Sequence, residues 1–448
     1  MLQIWSIFDL KKKLDLILIS FLVFINTALE AISISFFIPV VVSLTNNNLA
    51  EIYPQFAIIM DYFSNKFSTT TINSSIILFT ITIILKNLFQ LLINYKEIRF
   101  TILIQEETSQ RLFNKYLNND YSFHLKNRSS DLLTKVRNQT KYFSDAVSSI
   151  YGMFSEIILI SGLAFLLLLF AFEVTLISLC VFSILSYIFV KILNKYVVRA
   201  SDERNEMEFK KTRIVQESIL GVREILMSNI KNQVIEQYRN CSNIFAKSIS
   251  IYSLISKVPK IYFEIIIVIL IATALYVSTN ILKDFNLNIV LPVLTLYAAT
   301  GFRLLPAANR FVNYIQRYRF AYPTIGQVYE ELNNETKKIK VSKKLNIKKI
   351  EIKNLSFSYP KPSKKILDEI NLTINSNEKI LIYGSSGSGK STFLDLIIGL
   401  QFPNEGKIVV NENQETNKNF NLINSISYVS QKIFIFNKSL KENNFLNP

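Results

Sequence analysis

The sequence predicts a multidomain membrane protein: a six-helix α-helical transmembrane domain with long cytoplasmic helical extensions, followed by an α/β domain built on a phosphate-binding loop. Three observations carry this prediction. Half of the 448 residues are hydrophobic and the mean hydropathy is +0.26, high for a soluble protein. The apolar residues gather into six blocks, each long enough for a hydrocarbon core that needs about 20 residues at ~1.5 Å per residue. Near the end stands "YGSSGSGKST", Tyr383 to Thr392, which fits G-x-x-x-x-G-K-[ST] at every fixed position. The predicted order is a transmembrane domain over 1–330, a polar basic linker over 331–346 and the α/β domain over 347–448.

The six blocks fall near residues 14–44, 72–95, 144–170, 173–198, 262–282 and 288–309. Lys11, Lys12 and Lys13 precede the first, as in a secretory leader. The run is too long for a leader's apolar core and no small-residue cleavage site follows it, so it reads as a retained span. Region 96–141 carries nine Lys or Arg and region 191–260 thirteen, whereas the loops near 45–71, 171–172 and 283–287 hold only Lys66 and Lys283. Basic residues at span ends stay cytoplasmic, which places both termini and the two long loops inside. The same asymmetry explains most of the formal charge of +16, from 50 Lys and Arg against 34 Asp and Glu, with no nucleic acid as partner. The two cysteines, Cys180 and Cys241, lie in separate predicted helices and imply neither a disulfide framework nor a metal site. A single histidine, His124, argues against His-based catalysis.

Both long inner loops have helical spacing of apolar residues. "SQRLFNKYLNNDYSFHLKNRSSDLLTKV" is broken by a polar "LNND" turn, and "TRIVQESILGVREILMSNIKNQVIEQY" breaks at Gly221. The membrane helices are therefore expected to continue well into the cytoplasm and to turn back at short tips. After the linker "NNETKKIKVSKKLN" the period changes to two. "KKIEIKNLSFSYP" and "ILDEINLTIN" read as strands, "EKILIY" as a short strand, and "STFLDLIIGL" as the helix that leaves the loop.

The loop's residue types follow from phosphate chemistry. Gly384, Gly387 and Gly389, interleaved with Ser385, Ser386 and Ser388, let backbone N–H groups turn inward around a phosphate at the positive end of the following helix. Lys390 can reach β- and γ-phosphates, and the Ser391 hydroxyl, next to Thr392, can ligate Mg²⁺. Tyr359 lies 31 residues before Lys390 at a strand end, where its ring could stack on adenine or serve as an ordinary strand aromatic. Gln431, in "SYVSQKIFIF", follows another predicted strand and either contacts the metal and attacking water or is a surface glutamine.

With these motifs in place the whole chain resembles the ABC transporter superfamily, specifically exporter-type half-transporters with the membrane domain first. The resemblance implies ATP and Mg²⁺ as cofactors. It assigns adenine binding to Tyr359, phosphate binding to Gly384–Thr392, and a metal and water contact to Gln431. It also implies coupling helices near residues 118–126 and 215–223. The membrane domain is most similar to bacterial flippases for lipid-linked oligosaccharides, through "GFRLLPAANRF", "VPKIYFEI" and "AISISFFIPVV". Arg303, Pro306 and Arg310 fit the pattern R-L-x-P-x-x-x-R. Pro259 and Glu264 fit P-R-x-x-x-E, with Lys260 standing where that pattern has arginine. The resemblance implies a homodimer in the bacterial plasma membrane, among membrane lipids, moving a lipid-linked glycan. A peptide or hydrophobic compound is the alternative cargo.

Arg303, Arg310 and Arg317 are seven residues apart and share one face of the sixth helix. A span starting near Leu287 puts Arg303 roughly 24 Å in, where an unpaired charge costs at least about 2.5–3.5 kcal/mol. Two readings stand for Arg303: it meets a substrate's pyrophosphate, helped by Arg310, or it pairs with Glu264 or Glu30 or snorkels inward. For Arg310 and Arg317 the preferred reading is a solvated cytoplasmic helix face. Glu30, Lys86, Glu156, Lys260 and Glu264 are read chiefly as structural pairs, Glu264 with the weakest claim to that role.

Hydrolysis in this family also needs a signature segment, a strand-end aspartate and glutamate (Walker B) and a later switch histidine. None follows Gln431, and the sequence closes at "KSLKENNFLNP". The expectation is a C-terminally truncated chain that holds phosphates but does not complete their hydrolysis. A non-catalytic membrane protein with residual nucleotide binding is a further alternative.

Overall fold

The computed structural model describes residues 8–36, 58, 62–65, 70–170, 172–266, 268–269, 287–334, 344–359, 365–411, 414–416, 422–429 and 434–444. Contacts divide the chain into two units, Met1–Arg111 with Leu133–Asn333 and Leu112–Leu132 with Asn334–Pro448.

The first unit is helical. In chain order its helices are α1 (Leu10–Ser35) and α2 (Thr71–Leu117), whose last turns enter the second unit along with α3 (Tyr121–Lys126) and the start of α4 (Ser129–Thr134). A π-helical turn, Lys135–Gln139, leads into α5 (Thr140–Phe170); α6 (Phe172–Leu220), α7 (Val222–Met227), α8 (Lys231–Ile255) and α9 (Leu287–Asn333) follow. Among the described residues four helical segments are long and apolar enough to span a membrane: Leu10–Ser35, Asn73–Leu117, Ser129–Leu169 and Leu179–Leu220. The predicted fifth span, 262–282, lies mostly outside the described residues, and the predicted sixth falls in the first half of α9.

The helices run well beyond the length of a span. At ~1.5 Å per residue the 47 residues of α2 reach about 70 Å, more than twice a hydrocarbon core. The chain breaks where polar or glycine residues interrupt the period, between Leu117 and Tyr121 and at Gly221. Asp120 caps α3, its carboxylate accepting from the Phe123 N–H at 2.9 Å. His124 contributes to that tip by donating from Nε2 to the Tyr116 carbonyl at 3.0 Å.

Helix packing is anchored at two places. Phe143, Ala146, Val147 and Tyr151 of α5 are buried against Ile19 and Val23 of α1, Ile93 and Phe100 of α2, and Ala321 and Ile325 of α9. Arg204 of α6 is fully buried, with its guanidinium 3.7 Å from the centroid of Tyr142 and 4.8 Å from that of Phe320. It donates to the Phe320 carbonyl at 2.9 Å and pairs with Glu208 at 3.4 Å, so a buried charge is both stacked and hydrogen-bonded.

The π turn is a second finding that periodicity does not reveal. A π turn leaves a carbonyl outside the ordinary i→i+4 ladder. The Val136 carbonyl accepts instead from the hydroxyls of Ser109 on α2, at 3.1 Å, and Thr140, at 2.9 Å. Gln139, wholly buried, donates to Asn205 of α6 at 3.0 Å, and Lys135 pairs with Glu331 of α9. One irregular turn is thereby tied to three other helices.

The second unit contains a four-stranded antiparallel sheet, ordered β2-β1-β3-β4, with β1 Lys349–Ser358, β2 Lys365–Asn375, β3 Glu405–Val410 and β4 Gln414–Glu415. Helix α10 (Lys390–Ile398) packs Phe393, Leu396 and Ile397 against Ile350, Ile352, Leu355, Ile408 and Val410 of the sheet. At roughly 1.5–3 kcal/mol for each such side chain, this apolar seam fixes the start of α10. A short helix, α11 (Leu440–Asn444), follows. Two predicted strands are corrected: residues 378–383 and the described residues 426–429 before Gln431 carry no ladder. A strand exists only through its ladder to a neighbour, and none of the described residues pairs with these segments in that way. Leu381, Tyr383 and Val429 are accordingly 84%, 88% and 84% exposed.

Candidate functional site

The phosphate loop sits between an exposed approach and a buried helix. Gly384 to Ser388 are exposed, Gly389 and Lys390 half-buried, Ser391 exposed and Thr392 buried. Gly387 and Gly389 have φ of 83° and 91°, the left-handed region that glycine enters without a Cβ penalty. At Gly389 a Cβ would also stand 2.6 Å from Cγ2 of Ile366 on β2, so the position demands glycine for two independent reasons. Lys390 Nζ folds back over the loop and donates to the carbonyls of Gly384 and Ser385 at 2.9 and 2.8 Å, with Ser388 Oγ at 3.5 Å.

This arrangement fits a nucleotide's phosphates. The ammonium is held across the loop at the N-terminus of α10, and the Ser391 hydroxyl is free to face solvent on its first turn. Among the described residues no group of three or more His, Cys, Asp or Glu could cage a metal.

Tyr359 directly follows β1, beside the loop. Its ring meets Phe357 edge-on with centroids 5.1 Å apart, and its hydroxyl lies 3.3 Å from Thr392 Oγ1. Gln431 lies outside the described residues. Sequence reasoning missed Tyr121, at the start of α3. Burial first, then the Asp395 carboxylate and the phenols of Tyr359 and Tyr428, push its phenol above the ordinary tyrosine range. The last turn of α2, α3 and the loop region thus share one compact unit, a placement that only tertiary structure reveals.

The intramembrane charges form a second cluster, within the first unit. Glu30, 5% exposed, gives one oxygen to Lys86 Nζ at 3.1 Å and the other to Arg303 Nε at 3.3 Å. Of the partners open to Arg303 it is therefore Glu30, not Glu264, that is engaged. Glu264 pairs at 3.9 Å with Lys260, one turn away on the same helical stretch, both exposed. A pocket of about 140 Å³ opens on Glu30, Lys86 and Arg303, walled by Ser33, Phe79 and Ile83.

The preferred reading of Arg310 and Arg317 as a merely solvated face is corrected. Arg310 makes a two-pronged contact with the buried Glu156, Nε to Oε1 at 2.6 Å and Nη2 to Oε2 at 3.0 Å. Arg317 Nη2 reaches Asp145 at 3.0 Å. Both carboxylates belong to α5, so seven-residue spacing on α9 meets matching acids on the neighbouring helix, a pairing invisible in either segment alone. All three arginines stay 42–49% exposed, each with one side paired and the other open.

Comparison with known proteins bears on both regions. The family profile described as "ABC transporter transmembrane region" matches residues 16–303, and that described as "ABC transporter" matches residues 367–446. An ATP-dependent lipid A-core flippase of Wigglesworthia glossinidia brevipalpis is 24% identical over 339 residues, 75% of this chain and 58% of that protein. The lactococcin-G-processing and transport ATP-binding protein LagD of Lactococcus lactis subsp. lactis is 24% identical over 388 residues, 83% of this chain and 53% of that protein. Multidrug resistance protein 1 of Plasmodium falciparum (isolate FC27 / Papua New Guinea) is 25% identical over 346 residues, 72% of this chain and 24% of that protein. The chain spans about half the length of the first two.

Proposed function

Because the chain belongs to the ABC transporter family, a membrane domain fused to a nucleotide-binding domain, we propose that it serves an ATP-driven exporter or flippase as a half-transporter. Its cargo on this reading is a lipid-linked oligosaccharide or a related polyprenyl-linked glycan. It acts as a homodimer in a bacterial plasma membrane, with the nucleotide-binding domain in the cytoplasm. ATP and Mg²⁺ are held by Gly384 to Thr392, with Ser391 and Gln431 on the metal and Tyr359 at the adenine.

The observation that carries the cargo class is the open side of Arg303. A guanidinium in a span is expensive. Here it has one contact to a carboxylate, remains 42% exposed, and borders a pocket whose charged lining is otherwise Glu30 and Lys86. That suits a phosphorylated headgroup entering from the open side, because guanidinium forks recognise phosphate oxygens. Arg310, doubly engaged by Glu156, assists at longer range, as do Lys260 and Glu264, which do not line the pocket.

A second reading, a peptide or hydrophobic cargo, draws on the equal likeness to the lactococcin-G transporter and the likeness to the multidrug resistance protein. The experiment that separates them supplies proteoliposomes of the full-length protein with three cargoes in parallel: a fluorescent lipid-linked oligosaccharide, a labelled peptide and a hydrophobic dye. MgATP-dependent translocation of the lipid-linked glycan alone supports the first reading. Movement of the peptide or dye with the glycan left behind overturns it.

A further inference from the structure

Resting on the reading of the Arg303 region as the headgroup site, we infer that Glu30 is that site's resident counter-ion, a specificity-setting carboxylate that a substrate phosphate replaces at Arg303. Three helices meet at Glu30: its own α1, α2 through Lys86 and α9 through Arg303. Two cations share one carboxylate, so the group keeps an excess of one positive charge inside the membrane domain. Lys86 and Glu30 have side chains 6% and 5% exposed, which makes their pair the fixed half of the cluster. Arg303 is the releasable half. Its contact with Glu30 is made at Nε, 3.3 Å away, and the side chain is 42% exposed, so the outer edge of the guanidinium can meet another acceptor.

Among the described residues the pocket offers little else to an anion. Ser33 gives its hydroxyl to the Leu29 carbonyl of its own helix at 2.7 Å, and Phe79 and Ile83 are apolar. Selectivity thus comes from competition. A neutral headgroup offers Arg303 nothing that offsets the loss of Glu30, so the latch stays closed. A phosphate neutralises the excess charge and takes Arg303, while Glu30 remains with Lys86 so that no buried charge is left alone. Removing the Glu30 charge should therefore tighten anion binding rather than weaken it, the opposite of what loss of a direct ligand does.

The test measures binding of farnesyl diphosphate, farnesol and inorganic diphosphate to the full chain in phosphatidylcholine nanodiscs, with a thermal unfolding midpoint for each variant. Glu30→Gln should bind farnesyl diphosphate about fivefold or more tightly, with farnesol unchanged. The double variant Glu30→Gln/Lys86→Gln removes both ends of the buried pair, stays foldable where the single variant does not, and should show the same gain. Arg303→Ala should lose tenfold or more. Inorganic diphosphate competing as well as the lipid would place the ion, not the lipid, as the ligand and overturn the headgroup assignment. If Arg303→Ala loses binding but neither Glu30 variant gains, the counter-ion inference fails and the headgroup reading stands. If Arg303→Ala binds as the wild type does, the headgroup reading itself fails.

Discussion

Gly389 and Lys390 illustrate how adjacent residues can do unrelated work. Gly389 is conformational: a side chain there meets a left-handed backbone and the methyl of Ile366 together. Gly389→Ala should destabilise the nucleotide-binding unit by about 2 kcal/mol or more, from ~1–2 kcal/mol for the backbone alone plus the steric clash. Thermal unfolding of the purified full chain would read this. The ammonium of Lys390 is hydrogen-bonded to exposed loop atoms, so Lys390→Ala should leave the unfolding midpoint nearly unchanged and weaken MgATP binding tenfold or more, as read by titration with a fluorescent ATP analogue. Charge behaves as locally. The ammonium groups of Lys349 and Lys353 flank Glu351 at 2.5 and 2.7 Å and hold its carboxyl at about 2, below the usual 4.5. The folded value is the lower one, so this stabilisation is present above pH 4.5 and fades as pH falls towards 2. Glu351→Gln should flatten the acid limb of the stability profile in that window, without changing stability at neutral pH by more than a surface pair allows.

The helices and strands show where sequence reasoning succeeds and where it stops. The phosphate loop, the break at Gly221 and the turn before Tyr121 were legible because their signals are contiguous: glycine, polar clusters and a fixed motif act on the backbone within a few residues. The strand expected over "EKILIY" was not found, because alternation describes one segment while a strand is a relation between two. The same limit hid the ion pairs. Glu30, Lys86 and Arg303 come from three distant segments, and Arg310 found Glu156 rather than water. The π turn has no sequence signature at all; it is held by a hydroxyl from another helix. Ser109→Ala should cost about 1 kcal/mol for the lost hydrogen bond and raise amide exchange over residues 135–141, read by hydrogen-exchange mass spectrometry. Unchanged exchange there would mean that Thr140 holds the turn alone.

The two units together define a membrane protein of the ABC transporter family whose parts suit different tasks. The helical unit brings paired but half-open arginines onto one face of α9; the sheet-bearing unit packs a phosphate loop and the α3 tip into one body. Ion pairs at Arg310–Glu156 and Arg317–Asp145 join α5 to α9, so those helices should move as one during any transport cycle. Glu156 is buried, and Arg310→Ala leaves it without a partner. A loss of about 2 kcal/mol is expected, below the ~3–5 kcal/mol of a fully buried pair because Arg310 is half-exposed. Restoration of the unfolding midpoint by the added change Glu156→Gln would confirm that the cost is the orphaned carboxylate. The proposed function is tested most directly by MgATP-driven translocation of a fluorescent lipid-linked oligosaccharide in proteoliposomes of the full-length protein. With the nucleotide-binding domain completed by the signature, Walker B and switch-histidine segments that residues 1–448 lack, the protein should translocate; Lys390→Ala should stop it for want of nucleotide, and Arg303→Ala should slow it at least tenfold while still binding MgATP normally. Wild-type translocation rates in both variants would contradict an ATP-driven flippase built on this loop and this arginine.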